Sequence, residues 1–413
     1  MFKEDIKFLY NNNNLFNINV YIPIGSINET NGIYGISHFL EHMKFNKSKK
    51  YSTDNLRNKL SHFVYNAYTT LEHTKYYITS HINDYERIVD IMNEIIFNTE
   101  FNSNEIELER KIVLEEEVYT NDNNDVIKDL SIYKNNNPYN RLVIGKTSDI
   151  KKINNRNLKK YNEQYFNDFF IIINCPKKYE NRIKNLCIKK FPKALKKDIR
   201  NIENIHSYSY ELIIRNLFSD KQALFLSFNT IPHNHKYYIY MEFINFILSY
   251  GKNSKIGNIL REKKGLIYRI ETTSNNYKDN GFYIIKIVTR PSNNIIPIIN
   301  IILKEIEKLK TDKISNKELK NFKQRYNNYM KIKYSDMDYY TKYMGNIMFY
   351  NREINSIEYI DKSINKLESS DINDIFSELF NFNKMNIVLY GKYNNIDNKN
   401  KQIYKNISKF RNT

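Results

Sequence analysis

LFNINVYIPIGSINETNGIYGISHFLEHM (residues 15–43) changes its period once along its length. From Leu15 to Ile22 the apolar residues alternate, as in a half-buried strand. A glycine-containing turn follows, and then Ile33, Ile36, Leu40 and Met43 recur at helical spacing. On that helix His38 and His42 lie one turn apart on one face, with Glu41 inside the same arc of about 100°. Two imidazoles so placed can hold one metal ion, and a carboxylate beside them can reach a water bound to it. The plain alternative is a solvated helix face that happens to carry three polar residues.

The same alternation of strand and helix continues outward. Ser52, Thr53 and Asp54 cap a helix through NLRNKLSHF. Strand-like pieces follow at FVYNAYTT and KYYITSHI, then a helix with the stripe Ile88, Ile91, Met92 and Ile95. A long acidic helix begins near Asn104, and the strand DFFIII (168–173) closes the half. Residues 194–208 are polar, basic and irregular, which marks an interdomain linker. Beyond it come strand ALFLSF, helix YYIYMEFINFILSY, a short helix through IGNILREKKG, strand GFYIIKIVT, three helical stretches and a final strand, MNIVLYG. Order and length repeat between the halves, so two domains are expected, 1–200 and 201–413, a reasonable division for 413 residues.

Composition narrows the function classes. The formal charge of +18 would suit a nucleic-acid or acidic-membrane partner. The lysines are scattered, however, with no basic arm or arginine-rich helix, so no nucleic-acid role is expected. No apolar run approaches the ~20 residues of a membrane span. MFKEDIKFLYNNNNL lacks a secretory apolar core and carries acidic residues a mitochondrial presequence avoids. Cys175 and Cys187 cannot build a disulfide framework and are expected as buried thiols. A soluble chain in an intracellular reducing compartment is the expectation.

A catalytic zinc would need a third protein ligand. The long helix offers Glu107, Glu109, Glu115, Glu116 and Glu117 in ELERKIVLEEEVY, a run that usually means a charged surface. Glu109 and Glu116 are two helical turns apart and share a face, so one could ligate while the other orients a histidine. GISHFLEHMKF, with the last glutamate of ERKIVLEE 74 residues after His42, resembles the pitrilysin/insulinase-like zinc metallopeptidases, whose motif is an inverted H-x-x-E-H. The resemblance implies His38, His42 and Glu116 as zinc ligands, Glu41 as general base and Glu109 as the supporting acid. GSINETNGIYG looks like the family's G-S-x-x-E turn. NAYTTLEHTKYYI looks like its N-A-[YF]-T segment, which implies that Asn66 and Ala67 lie on an edge strand where substrate adds as another strand. LREKKGLIY is similar to L-R-E-x-x-G-L-x-Y, implying that Arg261 and Tyr268 contact the substrate backbone or the developing oxyanion. Two departures stand out: FNKS replaces the usual F-K-G-T, and DFFIIINCP lacks the usual small-residue end. Neither is expected to touch the metal chemistry.

The implied fold is α+β, two homologous domains that each have a mostly antiparallel sheet covered by helices and that pair into a clam-like chamber. The implied activity is zinc-dependent endopeptidase hydrolysis of unfolded peptides, with one zinc ion per chain. A homodimer is expected, or a heterodimer with a homologous subunit. A non-catalytic scaffold of the same fold is the alternative, against which the intact motif speaks.

Overall fold

Five strands build the first sheet: β1 (Ile6–Tyr10), β2 (Leu15–Ile22), β3 (Val64–Thr69), β4 (Thr74–His81) and β5 (Phe170–Cys175), in the order β1-β5-β2-β4-β3. β1 and β5 run parallel and the other neighbours antiparallel. The second sheet has β6 (Leu212–Asn216), β7 (Gln222–Thr230), β8 (Arg269–Asn276), β9 (Gly281–Thr289) and β10 (Met385–Gly391), ordered β6-β10-β7-β9-β8. Its pairing senses repeat those of the first, position for position. The fold is therefore α+β with two mostly antiparallel sheets of one topology. This computed structural model describes residues 5–130, 138–166, 168–194, 212–216, 221–290, 295–351, 357–392 and 396–411. Apart from Ala194, the stretch 194–208 read as a linker lies outside them.

β2 is central, and its two faces differ. Phe16, Ile18, Val20 and Ile22 point into the main apolar core with Tyr76 and Ile78 of β4 and Ile171 and Ile173 of β5. That core also takes Ile36, Phe39, Leu40 and Met43 from α1 (Ile36–Met43), and Ile88, Val89, Ile91, Met92, Ile95 and Ile96 from α3 (Tyr85–Phe97). Each large aliphatic or aromatic side chain so buried contributes about 1.5–3 kcal/mol. Between them α2 (Thr53–Leu60) is capped by Ser52, whose side chain accepts from the Asn55 amide as expected. The acidic helix is α4 (Ser103–Leu130), a residue earlier than its expected start.

The other face of the first sheet carries Asn17, Asn19, Tyr21 and Lys75, all buried. Part of its cover comes from far along the chain. The first compact unit joins most of the N-terminal half with Asp336–Phe349, while the second holds Asn204–Ser335 and Tyr350–Thr413. Within that first unit Gly345 lies so close to Tyr21 that a Cβ would overlap the phenol. Phe349 packs on His73 at 4.8 Å, and Lys342 lies 5.1 Å from the Tyr68 ring centre.

Several differences from the sequence reading have local causes. Strands β1, β6 and β8 have no counterpart in the sequence reading. β8 reads RIETTSNN, with too little apolar alternation to announce a strand, and it forms by pairing with β9. Where three helical stretches were expected the described residues form five, Ile295–Thr311, Asn316–Ser335, Met337–Asn351, Ile357–Lys366 and Ser369–Leu379. MNIVLYG does not end the chain's structure, since helix Ile396–Arg411 follows and buries Ile403 and Ile407, one turn apart. Cys175 and Cys187 are buried free thiols, which burial pushes up to about 12. Among the described residues no helix is long and apolar enough to cross a membrane.

Candidate metal centre

The helix bearing the histidines starts where backbone and side chain agree. Gly35 has φ +94°, and a Cβ there would strike the Ile144 carbonyl, so only glycine fits. Glu29 accepts from the Gly35 and Ser37 amides at 2.7 and 2.9 Å, which satisfies two donors of the first turn. Burial pushes the Glu29 carboxyl up to about 7 against the pull of those amides and of Arg141. At the far end Lys44 is fully buried, and its Nζ donates to the Ile96 carbonyl and to Asn162 Oδ1, both at 2.5 Å. Lys44 thus joins α1 to the last turn of α3, where carbonyls lack intrahelical partners.

His38 and His42 lie edge to face with ring centres 4.7 Å apart. Their Nε2 atoms lie 3.7 and 3.5 Å from one Glu116 oxygen. One ligand atom from each of the three residues falls within 4.8 Å of the others. Donors bonded tetrahedrally to zinc at about 2.0–2.1 Å stand about 3.3–3.5 Å apart, so this N, N, O set fits a zinc ion with a small contraction. Burial, and then the charge of His42, pushes His38 down to about 3, leaving the neutral imidazole that a metal requires. Neighbouring Glu115 is exposed, and Glu117 accepts from Thr147 at 2.9 Å. Of the three consecutive acids, Glu116 is the one that meets the histidines.

Glu109 lies behind the cluster, nearly buried, with Oε2 3.3 Å from His42 Nδ1. Burial raises its carboxyl, but the hydrogen bonds of His42 and Asn46 outweigh that and hold it low. For His42, burial lowers the imidazole, while the Glu109 hydrogen bond and the charges of Glu41, Glu109 and Glu116 carry it up. Glu41 is buried, and its Oε2 accepts from Thr69 Oγ1 at 2.6 Å. Burial raises its carboxyl above the usual range, only partly opposed by Thr69 and His42.

β3 stands at the edge of its sheet, with Asn66 exposed and Ala67 buried. Asn66 Oδ1 accepts from the Ala67 amide at 2.8 Å. Arg261 and Tyr268 belong to the second unit and are described there. Arg261 sits on the π-helical turn Asn258–Lys263, more than half exposed, with Glu262 3.8 Å away. Tyr268 is 75% exposed at the entry to β8, which rules out a core aromatic.

A model of the insulinase domain, peptidase family M16, matches residues 8–145, and one of the peptidase M16 inactive domain matches 173–326. The chain belongs to the M16 peptidase family. Among M16 relatives, the uncharacterized zinc protease YmxG of Bacillus subtilis is 26% identical over 321 residues, covering 75% of this chain and 76% of its own. The zinc protease PqqE of Helicobacter pylori is 23% identical over 340 residues, 76% and 74% of the two chains. The beta subunit of the mitochondrial-processing peptidase of Mus musculus is 37% identical over 150 residues, 35% of this chain and 30% of that one. A crystal structure of a protease from Helicobacter pylori superposes with a TM-score of 0.80 at 18% identity, over 93% of this chain and 96% of that one. A Pseudomonas fluorescens structure described as a peptidase M16 inactive domain gives 0.80 at 16%, over 94% and 96%. At those identities the two structures carry the fold alone.

Sequence reading missed Thr69, Asn46 and Arg57, which touch Glu41 or Glu109. Thr69 stands inside the quoted NAYT segment, so a signal was present without a role. Asn46 belongs to FNKS, the departure expected to lie apart from the metal chemistry; it lies against Glu109 instead.

Proposed function

We propose that this protein is a zinc-dependent endopeptidase that hydrolyses unfolded peptides. Residues 1–200 are the zinc-binding catalytic domain, and 201–413 the companion domain that presents Arg261 and Tyr268 to substrate. The observation that carries the reading is the convergence of His38, His42 and Glu116, with buried Glu41 on the same helix. These three would hold the metal, with Glu109 orienting His42. A zinc ion held there supplies Lewis acidity toward water and toward a peptide carbonyl.

The chain's own residues do the rest. Thr69 holds one oxygen of Glu41, and the other would accept the proton of the attacking water. Burial makes Glu41 a better base than a solvated carboxylate. Glu41 takes the proton as the water oxygen bonds to the carbonyl carbon, then returns it to the amide nitrogen as the C–N bond breaks. β3 has a free edge among the described strands, and an extended peptide added beside Asn66 and Ala67 would be held by main-chain hydrogen bonds. Arg261 and Tyr268 would donate to the substrate backbone or to the oxyanion. A chamber of two such chains, or of this chain and a homologous subunit, would admit peptides and refuse folded proteins.

The test is cleavage of a fluorogenic peptide mixture by the purified chain, followed by chelation and zinc replacement. Activity should vanish with a chelator and return on adding about one zinc per chain. Turnover that survives complete removal of the metal would overturn the reading.

A further inference from the structure

FNKS puts Asn46 where the family pattern has another residue, and the structure gives that asparagine a task. It is 1% exposed and has both ends of its amide engaged. Nδ2 donates to Glu109 Oε1 at 3.2 Å, and Oδ1 accepts from Arg57 Nη2 at 2.7 Å. Arg57 also stands 3.5 Å from Glu109 Oε1. A guanidinium only donates and a carboxylate only accepts, so the amide can face just one way. The result is a continuous line, Arg57 to Asn46 to Glu109 to His42, crossing α2, the loop after α1, α4 and α1.

We propose that Asn46, backed by Arg57, is a positioning residue that holds Glu109 against His42 and so sets the zinc affinity of the His38, His42 and Glu116 cluster. This rests on the zinc reading above. Glu109 has two oxygens with separate duties: Oε2 orients the imidazole, and Oε1 is what Asn46 grips. Without that grip the carboxylate can swing about its own side chain and release Nδ1, and with it the tautomer that presents Nε2. The duty falls on His42 alone, because His38 Nδ1 is buried with no partner among the described residues. Asn46 carries more of the effect than Arg57. The arginine side chain is 49% exposed, so its direct attraction to Glu109 is screened by water and it acts mainly through the amide.

The experiment measures the zinc Kd of the full chain by competition with a chromophoric chelator, for the parent, Asn46→Leu, Arg57→Met and Glu109→Ala, and for each of the first two combined with Glu109→Ala. Asn46→Leu should weaken zinc about tenfold and Arg57→Met about threefold, as expected when support behind a ligand is lost. In the Glu109→Ala background neither should change Kd by more than about 1.5-fold, because the residue they act through is gone. A merely structural role would lower the melting temperature of the metal-free chain and leave Kd alone. The proposal is overturned if Asn46→Leu keeps the parent Kd, or if the loss persists undiminished without Glu109. Should Asn46→Leu fail to fold, Arg57→Met at its half-exposed site decides alone, and an unchanged Kd overturns the proposal. A parent that binds no zinc overturns this and the peptidase reading together. A parent that binds zinc with Kd unmoved by either variant overturns this proposal only.

Discussion

At the scale of single residues the site divides labour by burial. Buried His38 stays neutral and buried Glu41 is kept basic, whereas Tyr268, in the second unit, is exposed. Tyr268→Phe should lower kcat/KM about 100-fold if its phenol serves the oxyanion, while the zinc content measured beside it stays at the parent value. Lys44 makes a different prediction, because its Nζ is the partner of the Ile96 carbonyl. Lys44→Met should cost about 1–3 kcal/mol by leaving that carbonyl unpaired, read as a lower midpoint in urea unfolding. The motif His38, Glu41 and His42 was legible because one helix fixes the spacing of all three. Glu116 was legible only as a residue sharing a face with Glu109, and it needed the resemblance to be singled out among five acids. Thr69, Asn46 and Arg57 were not, since their contacts with the site residues exist only after β3, α2 and α4 close around α1.

At the scale of elements, helix Met337–Asn351 is the least legible part and the most exposed to test. Its sequence says only that it is a helix, and its neighbours in the first sheet lie about three hundred positions away. Gly345→Val should dislodge it from Tyr21 and cost about 1–3 kcal/mol of overpacking, visible as a fall in melting temperature. Lys75, a charged residue on β4, is buried among Tyr21, Tyr68 and Tyr77. Burial pushes its ammonium down to about 7; Asp338 opposes the shift and Lys342 adds to it. The unfolded chain therefore binds the extra proton between about pH 7 and the ordinary lysine value, and stability rises with pH across that window. Between pH 7.5 and 9.5 the parent should gain about 2 kcal/mol relative to Lys75→Met in paired denaturant titrations. An equal pH response in the two proteins would show that Lys75 titrates as a solvated amine.

For the whole molecule, both sheets repeat one strand order, and that repetition was visible in the sequence only as similar lengths and similar closing strands. β8 hid the correspondence because a polar edge strand carries little alternation, so its place is known only from pairing with β9. The family match then covers both halves, while the zinc motif occurs in the first alone. The central claim is that one full chain carries both the metal ligands and the base. It is tested most directly by assaying peptide cleavage for the purified parent and Glu41→Gln, with bound zinc counted in both. The account predicts zinc near one per chain in each protein, and cleavage reduced at least about 1,000-fold by the substitution. Equal cleavage by the two proteins, or a parent that takes up no zinc, would contradict it.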